Sequence, residues 1–157
     1  MPRKLVPRVK SVQSGRRSGA HLSGAAARLE VFIRLSELLT GYVELDRELA
    51  EAYFVRSADH LKPVFDQLLE QFHNLESPGR DPTERVRTDI LAHPSLGPPA
   101  RTLLMLWFTG GFLLPEQTWQ MASAEQYYRA LMWDAIGAHP PTLSNGYFGH
   151  WKYPVER

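Results

Sequence analysis

The chain is 157 residues long, has no cysteine and carries a formal net charge of +1. That length fits one domain, with ~100–200 residues as the usual span. The missing thiols exclude disulfides, Cys-held zinc and iron–sulfur sites, c-type haem attachment and a thiol nucleophile. The small net charge hides an asymmetry. Residues 1–28 hold seven bases (Arg3, Lys4, Arg8, Lys10, Arg16, Arg17 and Arg28) and no acid, whereas the rest holds 11 bases and 17 acids, a net of −6. An acidic body with a basic arm is not the charge pattern of a nucleic-acid-binding domain. The uncharged stretch around the apolar run 103–108 spans 14 residues, 102–115. A membrane-spanning helix needs ~20, so no span is expected.

Residues 1–24 read as an unfolded leader, with Pro2, Pro7, Gly15, Gly19 and Gly24 among many charges and little apolar periodicity. Arg16-Arg17 raises the question of a twin-arginine export signal, which needs an apolar segment of ~7–15 residues behind it. Residues 18–27 are short and weakly apolar for that role, and a flexible basic tail is the plainer expectation. A first helix is predicted over residues 24–40, with Leu29, Phe32, Ile33, Ser36 and Leu39 on one stripe and Gly41 as its stop. A second begins after Asp46, a good N-cap, with Leu49, Ala50, Tyr53 and Phe54 as its apolar face. A third begins near Asp59, with Pro63 in its first turn and a stripe of Leu61, Val64, Phe65, Leu68, Leu69, Phe72 and Leu75.

Ser77-Pro78-Gly79-Arg80 is a loop, and Asp81-Pro82 reads as N-cap and first residue of a short, polar fourth helix that turns Val86, Ile90 and Leu91 inward. Residues 93–99 break it. The fifth helix, 99–109, is apolar almost all round, the pattern of a helix in the middle of a core, and Gly110-Gly111 ends it. Ser123-x-x-Gln126 is a capping box that opens a sixth helix over 124–136, with Tyr127, Leu131 and Ile136 inward and Gly137 beyond its end. Residues 138–157 read as coil. No segment alternates at period 2. The fold class is therefore all-α: a single compact domain of five to six helices (29–157), with a disordered basic N-terminal leader (1–28) and an aromatic coil C-terminal tail.

Sites of chemistry are sparse. The histidines are His21, His60, His73, His93, His139 and His150, no two of them at i, i+4, and helix caps and loops account for them without a metal. No G-x-G-x-x-G, Walker A or G-x-S-x-G motif occurs, so neither a nucleotide cradle nor a hydrolase elbow is expected. Glu44, Asp46, Glu48 and Glu51 lie near a helix start, where they favour the helix dipole. The unusual feature is a crowd of 11 aromatic residues within positions 107–153. Some are core. Those of the tail either pack back over the helices or cap a partner, since Trp and Tyr are favoured interface anchors.

Three stretches together resemble a known family. Phe32-Ile33-Arg34-Leu35-Ser36-Glu37-Leu38-Leu39-Thr40-Gly41 is followed by Leu45-Asp46-Arg47-Glu48-Leu49-Ala50; next comes Leu106-Trp107-Phe108-Thr109-Gly110; last come Trp133-Asp134-Ala135-Ile136-Gly137-Ala138-His139-Pro140-Pro141, Gly149-His150-Trp151 and Pro154. In this order they are similar to the small, gamma-type subunit of bacterial FAD-dependent sugar and polyol dehydrogenase complexes, the sorbitol, fructose and glucose dehydrogenases. The resemblance covers about residues 29–157. It implies a chain with no flavin, haem or cluster of its own and no catalytic residue. FAD sits in a large partner subunit that takes two electrons from the sugar hydroxyl, and a cytochrome c subunit, where present, passes them on. The small subunit helps the large one fold, in a chaperone-like role, and carries it to the periplasm on a shared twin-arginine signal. Without export it stays cytoplasmic. On that reading Tyr147, Phe148, Trp151 and Tyr153 are the candidate partner anchors. The alternatives are a helical protein-interaction adaptor and, behind it, nucleic-acid binding through the basic arm.

Overall fold

The computed structural model describes residues 24–75, 81–113 and 118–140. The leader up to residue 23, the loop Ser77 to Arg80 and the tail from residue 141 lie outside these. Helix α1 (Ala25–Thr40) is followed by α2 (Arg47–His60), α3 (Val64–Leu75) and α4 (Pro82–Arg85), which continues into a π-helical segment, Val86–Leu91. Then come α5 (Gly97–Thr109), strands β1 (Gly111–Leu113) and β2 (Trp119–Met121), and two short helices, α6 (Ala124–Tyr128) and α7 (Met132–Ala135). The helical class stands, with one small antiparallel hairpin added to it.

Local chemistry explains most boundaries. Asp46 caps α2 by accepting from the Leu49 N–H at 2.9 Å, Asp81 caps α4 from Thr83 at 3.0 Å, and Ser123 caps α6 from Gln126 at 3.1 Å. Each side-chain oxygen satisfies a donor that the helix itself leaves without a partner. Gly41 and Gly110 end α1 and α5 in the left-handed region, φ 75° and 67°. At Gly110 no other residue would fit, because a Cβ would sit 2.7 Å from the Tyr127 Cα and 2.9 Å from the Gln126 carbonyl oxygen.

Helix α5 occupies the middle, packed against α1, α3, the π-helical segment and β1. Its Ala100, Leu103, Leu106 and Trp107 are buried, while Met105 faces out. Phe32, Phe54 and Phe65 meet edge-on with centroids 5.6–5.9 Å apart and lock α1, α2 and α3 together. Such pairs add ~0.5–1.5 kcal/mol beyond their buried area.

The structure corrects four expectations. On α1 the buried set is Val31, Phe32, Leu35 and Ser36; α2, α3 and α5 all pack on this helix, and the covered stripe is rotated from the predicted one. Asp59 does not begin the third helix. It lies in the last turn of α2, and α3 starts only after Pro63, since a residue before proline disfavours the α region. The sixth helix breaks in two because the Leu131 N–H donates to the Trp107 carbonyl at 3.0 Å, supplying a partner to the end of α5. Ile136, expected inward, is 68% exposed as a result. Lastly, residues 111–121 form a hairpin where no strand was expected, with Phe112 opposite Gln120 and Leu113 opposite Trp119.

Candidate interaction surface

Tyr147, Phe148, Trp151 and Tyr153, the anchors expected from sequence, all lie outside the described residues. What the described residues offer begins at the start of α2. The Arg129 guanidinium, just past α6, meets Asp46 at 2.6 Å, Glu48 at 3.1 Å and Glu125 at 3.1 Å. Three carboxylates converge on one cation, and the knot fastens the C-terminal segment to α2. The Leu49 N–H and then the Arg129 guanidinium hold the Asp46 carboxyl below the usual carboxylate range. The same partners, Asp46 first, push Arg129 still higher. Asp46 and Glu48, read from sequence as dipole partners, therefore act also as a clasp. Arg129 itself was missed, because nothing in a lone arginine 81–83 positions away signals it.

The hairpin hangs beside this clasp. The Arg56 guanidinium donates to the Ala122 carbonyl at 3.0 Å, and the His60 ring stands edge-on to Phe112, centroids 4.6 Å apart. Phe112 is buried and faces the helices. The register puts Leu113, Trp119 and Met121 on the opposite face, where they are 40%, 43% and 46% exposed. The Trp119 ring lies over Gly111, whose added Cβ would stand 2.6 Å from it. The signal for this element was present: Phe112-Leu113 and Trp119-x-Met121 flank Pro115, two short β-prone runs around a turn former.

Surface clefts among the described residues include these two. One, of about 500 Å³, has an apolar floor that includes Leu38, Phe72 and Val86 and a rim with Arg34, Glu37 and Arg85. Arg85 is anchored on the Leu75 carbonyl, and Glu37 accepts from the Glu44 N–H at 3.0 Å. The other is an open groove along α2, lined by Glu48, Glu51 and Asp59, by Arg56 and His60, and by Val55.

The starts of α2, α4 and α5 offer a flavin dinucleotide no cradle. Its pyrophosphate needs free N–H groups at a helix start behind a glycine turn. The starts of α2 and α4 are already filled by the anionic caps Asp46 and Asp81. That of α5 opens Gly97-Pro98-Pro99, two of whose residues have no N–H, and a Cβ on Gly97 would meet the Leu91 carbonyl oxygen at 2.6 Å. Among the described residues no three His, Asp or Glu side chains gather as metal ligands would, and no helix is long and apolar enough to cross a membrane. His93 serves the backbone instead: its Nδ1 accepts from the Ser95 and Leu96 N–H groups at 3.2 and 3.3 Å.

The model of a protein family described as membrane bound, FAD-containing D-sorbitol dehydrogenase matches residues 8–154. No curated protein and no solved structure matches the chain.

Proposed function

From the premise that this chain belongs to the membrane-bound, FAD-containing D-sorbitol dehydrogenase family, we propose that it is the accessory small subunit of such a complex and does no redox chemistry itself. The observation that supports this reading is the lack of fit for a dinucleotide at the starts of α2, α4 and α5. FAD belongs, on this reading, to a large partner subunit that oxidises the sugar or polyol. The small chain covers apolar surface which that partner exposes on its own, and its tail residues Tyr147, Phe148, Trp151 and Tyr153 serve as anchors. Binding only the folded partner stabilises it by mass action, by ~2.7 kcal/mol at a free concentration one hundred times the dissociation constant. Association with the membrane comes through the partners, with a cytochrome c subunit as electron acceptor.

The test is co-expression. With the small chain present, the flavoprotein is expected to be soluble, flavin-loaded and active; alone, it loses soluble yield and bound flavin. Equal yield, flavin content and turnover without the small chain would overturn the proposal, as would sugar oxidation by the small chain alone.

A further inference from the structure

We propose that helices α6 and α7 form a strap that lifts off the helical core as one unit, pinned by Arg129 and released by salt. The inference goes beyond the accessory-subunit reading and does not depend on it.

Four observations carry it. First, the strap is bound to itself. The Trp133 Nε1–H donates to the Tyr127 carbonyl at 2.8 Å, and the two rings stand edge-on with centroids 5.3 Å apart. The Ala135 N–H donates to the Leu131 carbonyl at 2.9 Å, and the Ala138 N–H to the Trp133 carbonyl at 2.9 Å. Helices α6 and α7 therefore move together and not as separate turns.

Second, little burial holds it down. Of residues 124–138 only Ala130 is buried, and it is not part of the main core cluster. Leu131 packs against that cluster but is only partly buried. The cluster's buried side chains run from Val31 of α1 to Phe112 of β1, so they stay packed on one another when the strap lifts.

Third, its hold on α2 is ionic and open to solvent. From just past α6, Arg129 reaches Asp46 at 2.6 Å and Glu48 at 3.1 Å, while Glu125, on the strap itself, steadies the guanidinium from its own side. The Asp46 and Glu48 side chains are 49% and 82% exposed, and pairs of this kind weaken as salt rises. The hold on α5 is the bond from the Leu131 N–H to the Trp107 carbonyl.

Fourth, the closed seam leaves polar atoms unsatisfied. The Tyr53 hydroxyl on α2 and Gln126 Oε1 on α6 are buried and, among the described residues, have no hydrogen-bond partner. The cations that act on the Tyr53 phenol are Arg129 and Arg56, the two that tie α2 to the C-terminal segment, so this hydroxyl lies on the strap's side of α2. The open groove along α2 reaches Gln126, which puts water at the edge of the seam. Both atoms regain a water partner when the strap lifts, and that offsets part of the burial lost. An element with few buried contacts and a cost stored in its closed state opens ahead of the rest of the molecule.

The experiment uses the full chain. It has no cysteine, so one introduced thiol reports opening without background. Ala130→Cys puts the thiol under the strap, and Ala50→Cys puts it in the core on α2. Labelling rates are taken relative to the unfolded chain. Ala130→Cys is expected to label about tenfold faster than Ala50→Cys or more. Raising salt from about 0.1 M to about 1 M, which shortens the screening length from ~10 Å to ~3 Å, is expected to speed it about threefold further. Arg129→Gln added to Ala130→Cys speeds labelling at low salt and removes the acceleration by salt, with helix content by circular dichroism kept. Exchange of the Leu131 amide in wild type gives the same reading without a new side chain. Equal labelling of the two thiols, with the Leu131 amide as protected as those of α5, would mean that the strap leaves only when the whole chain unfolds. Fast labelling indifferent to salt and to Arg129→Gln would mean that Arg129 is no pin. Either result overturns the proposal.

Discussion

Tyr53 offers a prediction whose sign alone is decisive. It is fully buried on α2, its ring edge-on to Trp107 with centroids 4.9 Å apart, and among the described residues its hydroxyl oxygen has no hydrogen-bond partner. A buried hydroxyl without a partner carries its desolvation cost uncompensated, ~1–3 kcal/mol. Tyr53→Phe keeps the ring contact and removes that cost, so the variant is expected to be more stable by at least about 1 kcal/mol. In a chain of this length that raises the Tm by roughly 2–4 °C or more. Urea and thermal unfolding of the full chain, followed by circular dichroism, measure both. Ionisation gives a second reading of the same oxygen. Burial pushes the phenol well above its ordinary value, against the opposing pull of Arg129 and Arg56. The native state therefore keeps a proton that the unfolded state releases above about pH 10. Stability from this group is whole below that pH and declines as pH rises beyond it, a slope that Tyr53→Phe lacks. A tyrosine with a good hydrogen bond would instead lose ~0.5–1.5 kcal/mol on the same substitution. A fall in Tm, or native-state titration near the ordinary value, would refute the reasoning.

Trp107→Ala empties the centre of the core and is expected to cost ~3–5 kcal/mol, a large share of a typical ~5–15 kcal/mol total, measured by urea unfolding. Gly110→Ala forces a side chain into φ 67° against the Tyr127 backbone; a loss of ~1–3 kcal/mol is expected, and hydrogen exchange should show the loss centred on α6. Asp46→Ala removes the α2 cap and one arm of the Arg129 clasp, costing ~0.5–2 kcal/mol at neutral pH. Because the native Asp46 carboxyl lies below its unfolded value, its contribution is complete above about pH 4 and is lost as pH falls through the lowered native value. The gap between Asp46→Ala and wild type should therefore close in acid unfolding curves.

The helical framework was legible because its signals are local. Asp46, Asp81 and Ser123 cap where their neighbours' N–H groups need oxygen, and Gly41 and Gly110 stop helices for want of a Cβ. The central place of α5 followed from its apolar surface. What failed to show was set by distant partners. The break at Arg129 to Leu131 depends on the Trp107 carbonyl, 24 positions back in the chain, taking the Leu131 N–H. A capping box and apolar spacing foretold one helix there, and the tertiary bond overrode both. The hairpin was missed because three-residue strands are too short for alternation to register. The candidate surface was half legible: aromatic crowding pointed to the C-terminal half, but only the register separates Phe112, turned inward, from Trp119, turned out.

The two parts of the body differ in how they are held. The helices α1, α2, α3 and α5 share one buried core, so their order is fixed by apolar burial that no single contact dominates. The segment from β2 to α7 contributes little to that core; of its residues only Ala130 is buried. It is fastened instead by discrete links: Arg56 to Ala122, Leu131 to Trp107, and Arg129 to its three carboxylates. Exposed ion pairs contribute ~0–1 kcal/mol each and weaken with salt. The hairpin and α6 thus belong to the low-stability end of the molecule, where local opening is least costly. Hydrogen exchange in the lone chain should then be faster in residues 118–131 than in α1 or α5. Equal exchange rates in all of these segments would instead mean that the discrete links hold the C-terminal segment as firmly as burial holds the core.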